Sequence, residues 1–245
     1  MKRIPFLFVA ALILLTACTL KGTSAPTSAP TEAVTQPPAA PPPAEATQPP
    51  PAPAPSEAPA PLSPLTLTSS AFAHEGNIPM RYGEKSFQVE LEANTFFSCA
   101  NSPEGENISP ALSWTNVPPA AKSLALFMWD QMNFAYPEAP ANAVFAHWVI
   151  YNIPPSAAGL SEGVAAESPL ADGSLQGVND YPEPYQAGYG GPCPGPDEKH
   201  LYIFTLYALD TVLDLQAGAT MDEVKAVMEG HILAQAELKG YFLYH

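Results

Sequence analysis

The chain has 245 residues, of which 31 are proline and 47% are hydrophobic, and its formal net charge is −15 at pH 7. This acidic balance excludes a protein that binds nucleic acid through a basic patch, because neutralising phosphates requires the opposite sign of charge. The prolines and the charged residues are unevenly distributed, and they divide the chain into residues 1–17, 18–64 and 65–245.

The first segment, residues 1–17, has the organisation of a secretory signal peptide. The basic pair Lys2-Arg3 precedes an apolar run over residues 6–15, which is shorter than the roughly 20 residues that span a bilayer. The run ends in Leu15-Thr16-Ala17-Cys18, which resembles a bacterial lipobox. An ordinary signal peptide with a chance cysteine is the alternative. The pattern predicts lipidation at Cys18 and a membrane anchor in the cell envelope, on the periplasmic or extracellular side.

The second segment, residues 18–64, consists largely of proline, alanine, threonine, serine and glutamine. It has few large apolar side chains to bury, so it cannot offset the entropy of ordering and is predicted to be disordered. Proline favours the extended polyproline II conformation. A docking site for a polyproline-binding module is the alternative. Because the segment joins an anchor to a domain, we predict a tether.

The third segment, residues 65–245, is long enough for one domain with a hydrophobic core. Lipidation of Cys18 would leave Cys99 and Cys193 as the remaining cysteines. In an oxidising compartment such a pair is a candidate disulfide. Nothing in the local sequence indicates that the two cysteines meet.

The domain is predicted to be mainly β. Alternating or continuous apolar patterns, separated by loops that contain Asn, Gly and Pro, predict strands at Ser86–Leu91, Ser123–Asp130, Phe145–Asn152 and Leu201–Leu209. Few helical patterns lie between them, which favours a sandwich or barrel-like pair of sheets over βαβ units.

One helix is predicted near the end of the chain. Thr220 and Glu223 form a capping box, and apolar residues follow at helical spacing. The pattern predicts a helix that extends to about Lys239 and stops at Gly240, a residue typical of helix ends. A weaker pattern predicts a short helix over Glu162–Glu167.

Three predicted strands each carry one ionisable group at or near the end of an apolar row. Residues at even spacing share a face of a strand, and the rows are Leu124, Leu126, Met128 and Asp130; Phe145, His147, Val149 and Tyr151; and His200, Tyr202, Phe204 and Leu206. A lone histidine in such a row is usually structural. Two histidines and an aspartate near strand ends predict a shared pocket.

A loop rich in glycine and proline precedes His200 at Gly188-Tyr189-Gly190-Gly191-Pro192-Cys193-Pro194-Gly195-Pro196. Glycine lets backbone amides turn toward an anion, and proline makes the loop rigid. A tight structural loop is the alternative. The sequence contains none of the G-x-S-x-G, H-E-x-x-H, P-loop or C-x-x-C patterns that mark hydrolases, nucleotide-binding proteins or cysteine-bound zinc.

Ordered sequence blocks along almost the whole domain carry a family resemblance. They are Leu67-Thr68-Ser69, Phe72, Ile78-Pro79, Glu106-Asn107-Ile108-Ser109-Pro110, Leu112-Ser113-Trp114, Ser123-Leu124-Ala125-Leu126, the run 145–154 (FAHWVIYNIP), Tyr189-Gly190-Gly191-Pro192-Cys193-Pro194, His200, Tyr202, Tyr207-Ala208-Leu209-Asp210 and Gly230-His231-Ile232-Leu233-Ala234. With these blocks the domain resembles the phosphatidylethanolamine-binding protein family, in its bacterial Raf-kinase-inhibitor-like branch.

The resemblance implies an antiparallel β-sandwich with a few peripheral helices and a small pocket for phosphate or phospholipid head groups. By motif position, the pocket residues would be Asp130, His147, Gly191, Pro192, His200 and Tyr202. The chain departs from the family at Gln131-Met132-Asn133-Phe134, where the family has Pro-Asp-Ala-Pro, and at Leu201, where it has arginine. The rim of the pocket therefore differs from the family pattern.

The leading hypothesis is a membrane-anchored binding protein that is not an enzyme and uses no cofactor or metal. Asp130 would orient a histidine, His147 and His200 would donate hydrogen bonds to an anion, Gly191 would add backbone donors, and Tyr202 would close one wall. Family members also inhibit proteins such as kinases or proteases, so a protein partner is a further expectation. The alternative is a metal-dependent or acid–base hydrolase that uses Asp130, His147 and His200.

Overall fold

A computed structural model of the chain describes residues 63–90, 96–99, 104–131 and 143–243. The predicted signal peptide, Cys18 and all of the predicted tether except residues 63–64 lie outside the described residues. The altered segment after Gln131 also lies outside them, as far as residue 142.

The described ranges contain mostly β-strands. In chain order the strands are β1 Thr66–Ser69, β2 Gly76–Asn77, β3 Phe87–Glu90, β4 Phe96–Cys99, β5 Leu112–Thr115, β6 Ser123–Gln131, β7 Val144–Ile153, β8 Gly159–Leu160, β9 Leu175–Gln176, β10 Lys199–Leu209 and β11 Ile232–Leu243. The α-helix α1 spans Met221–Met228, and a short 3-10 turn spans Met80–Tyr82. The prediction of a mainly β protein is confirmed, and the four predicted strands correspond to β3, β6, β7 and β10.

The strands form a six-stranded sheet in the order β2-β11-β10-β6-β7-β9, a three-stranded sheet in the order β1-β5-β8, and the hairpin β3-β4. The pairing is antiparallel, except for the short parallel contact between β11 and β2. In the large sheet, β6 lies between β10 and β7. This order brings the ends of three strands side by side.

The large sheet is buried on both faces because side chains alternate along its central strands. On one face, Leu124, Leu126 and Met128 of β6 belong to a core cluster that also contains Leu67 of β1 and Trp114 of β5. On the opposite face, the intervening side chains of β6 and β7 form a second cluster with α1: Ala125, Phe127, Val149, Tyr151, Met221, Val224 and Met228. The near-continuous apolar runs of these strands follow from this double burial.

The predicted helix is correct at its start and wrong at its end. Thr220 and Glu223 form the capping box, but α1 ends at Met228 and Gly230 then adopts a left-handed conformation, with φ of 81°. Residues beyond this turn form β11, which pairs with β10 along almost its whole length. Gly240 lies inside β11, where a Cβ atom would come within 2.7 Å of Ile78 and Phe72. Pairing with a distant strand therefore overrides the helical spacing.

The weaker helix prediction, over Glu162–Glu167, is also wrong, because these residues form turns and irregular structure. Gly163 has a φ of 71°, which an α-helix does not accommodate. Within the described ranges, no helix has the length and apolar character needed to cross a bilayer.

Candidate functional site

Asp130 lies between two histidines at the edge of the first core cluster. One of its carboxylate oxygens, Oδ2, accepts a hydrogen bond from His200 Nδ1 at 2.8 Å, and the other, Oδ1, lies 3.5 Å from His147 Nε2. All three residues are buried, with exposed fractions of 6%, 5% and 3% for Asp130, His200 and His147. The structure thus brings together the three ionisable groups that the sequence placed near separate strand ends.

His147 reaches this cluster through a β-bulge. Trp129 pairs with Ala146 and Met128 pairs with Trp148, so His147 is the extra residue of β7 at this point. A bulge shifts the alternation of side chains by one residue. The prediction that His147 shares a face with Val149 and Tyr151 is therefore wrong, because those two residues pack against α1 in the second cluster. Without the bulge, strict alternation would place the imidazole away from Asp130.

Aromatic rings surround the His147 imidazole. Phe145, Tyr202 and Tyr181 lie with their ring centroids 4.9, 5.1 and 5.6 Å from it, and both tyrosine rings meet it edge to face. Tyr202 is 1% exposed and also stacks near His200, at 6.3 Å between centroids. These contacts restrict rotation of the histidine. They also place the Tyr202 ring next to both histidines.

The loop before His200 does not present its amides as expected. The Gly191 N–H donates to Asn107 Oδ1 at 2.8 Å and to Glu84 Oε2 at 3.3 Å, so this donor is used within the protein. Pro192 has no N–H, and its carbonyl accepts a hydrogen bond from the Glu84 amide at 3.0 Å. The expectation that Gly191 supplies a backbone donor to an anion is therefore corrected. The loop instead uses this amide to bond to Asn107 and Glu84, on the side away from His147.

Close packing explains why this position is glycine. A Cβ atom on Gly191 would lie 2.5 Å from both the Glu84 nitrogen and the Tyr82 carbonyl oxygen, and these backbone atoms cannot move aside cheaply. On its other side, the Gly191 carbonyl accepts a hydrogen bond from the Tyr181 hydroxyl at 2.6 Å. The glycine thus allows two backbone segments to approach closely.

Sequence reasoning did not identify Glu84 as part of the site. Glu84 is 2% exposed, and its carboxyl group accepts hydrogen bonds from the amides of Lys85 and Gly191. Burial raises the pKa of Glu84 to about 7, although those two amides and the charge of His147 act to lower it. An acidic residue before a lysine looks like an ordinary surface residue, so the sequence carries no signal for this burial.

Glu198 occupies the outer side of His200. Its Oε2 atom lies 3.4 Å from His200 Nε2 and also accepts a hydrogen bond from the Gly195 amide at 3.1 Å. The Glu198 side chain is about half exposed, in contrast to the buried imidazole. An internal carboxylate therefore already faces the ring nitrogen of His200 that points away from Asp130. Sequence reasoning did not identify this contact either.

The cluster favours the charged forms of Asp130 and His200. Burial acts to raise the pKa of Asp130, but interactions with His147 and His200 outweigh it and hold that pKa below its ordinary value. The hydrogen bond to Asp130 raises the pKa of His200, burial opposes this shift, and the charges of Asp130 and Glu198 add to it. When His200 is protonated, Asp130 and His200 form a buried ion pair whose two charges largely cancel.

The three ionisable groups are not arranged as a metal centre. Asp130 stands between the imidazoles and bonds to one of them, so the ring nitrogens do not converge on an open point. Among the residues that the structure describes, no group of three or more His, Cys, Asp or Glu side chains is placed to hold a metal ion. Hydrogen bonds to Asp130 and to the Gly190 carbonyl instead hold a proton on Nδ1 of His200 and on Nδ1 of His147.

A disulfide joins the hairpin β3-β4 to the loop beside the site. It links Cys99, the last residue of β4, to Cys193, two residues after Gly191. The bond connects positions that are 94 residues apart in sequence. It fixes the loop from one side, while Asn107 and Glu84 hold it from the other.

Sequence comparison places the domain among known proteins. The family model described as "Phosphatidylethanolamine-binding protein" matches residues 68–243. A UPF0098 protein from Methanothermobacter thermautotrophicus is 46% identical over 178 residues, which cover 73% of this chain and 98% of the relative. A UPF0098 protein from Aquifex aeolicus is 36% identical over 183 residues, which cover 74% of this chain and 98% of the relative.

Solved structures show the same fold. One is a putative phosphatidylethanolamine-binding protein homolog from Chlamydia trachomatis, with 33% identity, a TM-score of 0.57, and coverage of 74% of this chain and 99% of that chain. Another is YbcL from Escherichia coli, described as a new member of the mammalian PEBP family, with 25% identity and a TM-score of 0.57. This second match covers 75% of this chain and all of YbcL.

Proposed function

Because this chain belongs to the phosphatidylethanolamine-binding protein family, we propose that its domain binds a small anionic ligand at the cluster of Asp130, His147 and His200. The ligand class is a phosphate, a phospholipid head group or a similar anion. In this proposal the protein is a binding protein without catalytic activity, and it requires no cofactor.

The observation that carries the proposal is the buried carboxylate between two imidazoles. Asp130 fixes His200 through Nδ1, so the other ring nitrogen, Nε2, points away from that carboxylate toward Glu198 Oε2 at 3.4 Å, where a ligand anion would replace Glu198 as the acceptor. Asp130 and a protonated His200 largely cancel in charge, so the protonated imidazole can meet an anion without a large net charge on the buried pair. Charge-assisted hydrogen bonds of this kind are stronger than neutral ones. Anion affinity should therefore increase as the pH falls.

We further propose that the protein is exported and anchored in the cell envelope by lipid on Cys18, with residues 18–64 as a tether. The lipobox-like sequence supports this proposal, and so does the disulfide between Cys99 and Cys193, since such bonds persist in oxidising compartments. Near a membrane, phospholipid head groups are an abundant source of the anion. A protein partner, such as a kinase or a protease, would be a second way in which the domain acts.

The test is a titration of the full-length protein, with Cys18→Ser to prevent lipidation, against inorganic phosphate, phosphoethanolamine and acetate by calorimetry. Short-chain phosphatidylethanolamine, compared with free phosphate, distinguishes a lipid head group from the free anion. We expect saturable binding that His200→Gln abolishes. His231→Gln is a matched control, because His231 and Asp210 form the same pair at 2.8 Å, about half exposed. Absence of saturable binding to all four ligands would refute the proposal.

A hydrolase that uses Asp130, His147 and His200 in acid–base chemistry is the second candidate. The buried hydrogen bond between His200 and Asp130 favours it, because a carboxylate that orients an imidazole is a common general-base arrangement. Turnover of phosphate esters or carboxylic esters that disappears in His147→Ala and persists in His231→Gln would support this candidate over simple binding.

A further inference from the structure

The peptide group between Gly190 and Gly191 connects the anion site to a second set of side chains. Its carbonyl oxygen, on Gly190, lies 2.8 Å from His147 Nδ1. Its N–H, on Gly191, donates to Asn107 Oδ1 at 2.8 Å and to Glu84 Oε2 at 3.3 Å. Both atoms belong to one planar unit in which the C=O and N–H bonds point in opposite directions. The rotation of a single peptide group is therefore fixed by contacts on its two sides.

The carbonyl of Gly190 determines which nitrogen of His147 carries a proton. A carbonyl oxygen only accepts hydrogen bonds, so His147 Nδ1 must donate to it. In the neutral ring this leaves Nε2 without a proton, so only the protonated ring can donate from Nε2 to Asp130 Oδ1, which lies 3.5 Å away. If the peptide group turned over, an N–H would face Nδ1 and the tautomer would be reversed. The orientation of the peptide group therefore controls the proton at the atom nearest Asp130.

Asn107 and Glu84 are themselves held in place. The backbone amide of Asn107 donates to the Gly83 carbonyl at 2.9 Å, and the Glu84 amide donates to the Pro192 carbonyl at 3.0 Å. Glu84 is buried, and its second oxygen accepts from the Lys85 amide. Acceptors on the N–H side of a peptide group polarise it and strengthen its carbonyl as an acceptor. Two anchored acceptors thus reinforce the hydrogen bond from His147.

We propose that Asn107 and Glu84 are positioning residues of the anion site, which act on His147 through the peptide group between Gly190 and Gly191. We expect Asn107 to have the larger effect, because its Oδ1 atom lies 2.8 Å from the Gly191 nitrogen, whereas Glu84 Oε2 lies 3.3 Å from it. The proposal rests on the proposed function for its effect on anion binding, whereas its effect on the tautomer of His147 is independent of any ligand.

The test compares Asn107→Gly with Asn116→Gly. Asn107 and Asn116 both have positive φ, of 50° and 61°, so glycine relieves the same backbone conformation in each. Asn116 donates to the Pro64 carbonyl and is not linked to His147, which makes it a matched control. Nitrogen-15 NMR of the histidine rings in the ligand-free, full-length protein with Cys18→Ser reads the tautomer. Calorimetry with inorganic phosphate reads the affinity.

We expect Asn107→Gly to give a mixture of His147 tautomers and to weaken phosphate binding about threefold to tenfold, the range for the loss of one hydrogen bond. Asn107→Asp keeps the acceptor and should restore both readouts, and Asn116→Gly should change neither. Glu84→Ala should give the same changes to a smaller extent, because its oxygen is the more distant acceptor.

Wild-type ring signals for His147 in Asn107→Gly would overturn the proposal. If that variant does not fold, Glu84→Ala withdraws the other acceptor of the Gly191 N–H, and wild-type ring signals for His147 there would overturn it. If neither phosphate nor the other three ligands bind to the unsubstituted protein, the proposed function fails, while the tautomer measurement still tests the positioning role.

Discussion

His147 Nε2 lies 3.5 Å from Asp130 Oδ1, although the residue that pairs with Asp130 in the sheet is Phe145. The bulge at His147 turns its imidazole onto the same face of the sheet as the carboxylate. Because β6 lies between β7 and β10, Asp130 is placed in the middle, and His200 approaches from the other side at 2.8 Å. The site therefore depends on sheet order and on one extra residue in β7.

The pair of Asp130 and His200 should stabilise the fold within a defined pH window. The raised pKa of His200 gives a contribution that is complete below its ordinary value of 6.5 and is lost as the pH rises through the folded value. The lowered pKa of Asp130 gives a contribution that is complete above 3.8 and is lost as the pH falls through the folded value. Both contributions are complete between pH 3.8 and 6.5.

Asp130→Asn should therefore lower the free energy of unfolding by about 3 kcal/mol near pH 6, since it breaks a buried pair. Urea denaturation measured from pH 3 to pH 9 checks this expectation. His231→Gln removes the exposed counterpart of the pair and should cost less than about 1 kcal/mol. Equal losses in the two variants would contradict the assignment of a buried ion pair.

Glu84 should make the protein less stable as the pH rises toward and through neutrality. Its pKa in the folded protein, about 7, is above its ordinary value of 4.5. Its contribution is therefore complete below pH 4.5 and is lost as the pH rises through 7, by at most about 3 kcal/mol. Glu84→Gln should be more stable than the unsubstituted protein at pH 8 and similar to it at pH 4.5. His200 also loses its contribution above pH 6.5, so His200→Gln must be measured in parallel.

Glu198→Gln should strengthen anion binding. The Glu198 carboxylate faces His200 Nε2 at 3.4 Å, where a ligand anion would compete with it. Removing this charge also lowers the pKa of His200, so the comparison belongs at about pH 5.5, where the imidazole stays protonated. We expect phosphate affinity to increase about twofold to fivefold, as for other partly exposed ion pairs. Glu162→Gln, an acidic residue near Arg81, is the control, and an equal gain there would indicate a general charge effect.

Local sequence patterns predicted those features that local rules determine. Alternation placed Asp130 with Leu124, Leu126 and Met128, and it placed His200 with Tyr202, because β6 near Asp130 and β10 near His200 are regular. The capping box gave the start of α1 for the same reason: two side chains three residues apart satisfy the first amides.

The features that local patterns missed depend on contacts between distant segments. The bulge at His147 has no glycine or proline next to it in the sequence, and Gly83, which precedes Glu84, indicates a turn but not the burial of the acidic side chain. Ile232 and Leu233 match the helical spacing, yet both are largely exposed at the start of β11, whose conformation is set by β10. The sequence indicated a rigid loop at Gly191, but it gave no sign that the Gly191 amide bonds to Asn107, which is 84 residues away. The amide was therefore assigned to a ligand.

Gly191→Ala should destabilise the protein by about 1–3 kcal/mol and weaken phosphate binding, because the added methyl group overpacks against backbone atoms at 2.5 Å. Chemical denaturation and calorimetry measure the two effects. Gly195→Ala in the same loop is the control for stability, since its Cβ would meet only the mobile carboxylate end of Glu198, at 2.8 Å. If the two variants have the same stability, the close approach at Gly191 does not constrain the loop.

Replacing Cys99 and Cys193 with serine should lower the free energy of unfolding by about 2–5 kcal/mol, because the bond closes a long loop in the unfolded chain. Guanidinium denaturation with and without a reductant checks this expectation. The reductant should shift the midpoint of the unsubstituted protein and leave the double serine variant unchanged. Phosphate affinity should also fall in that variant, because Cys193 holds the loop that supports His147. An unchanged midpoint under reducing conditions would mean that the disulfide does not stabilise the domain.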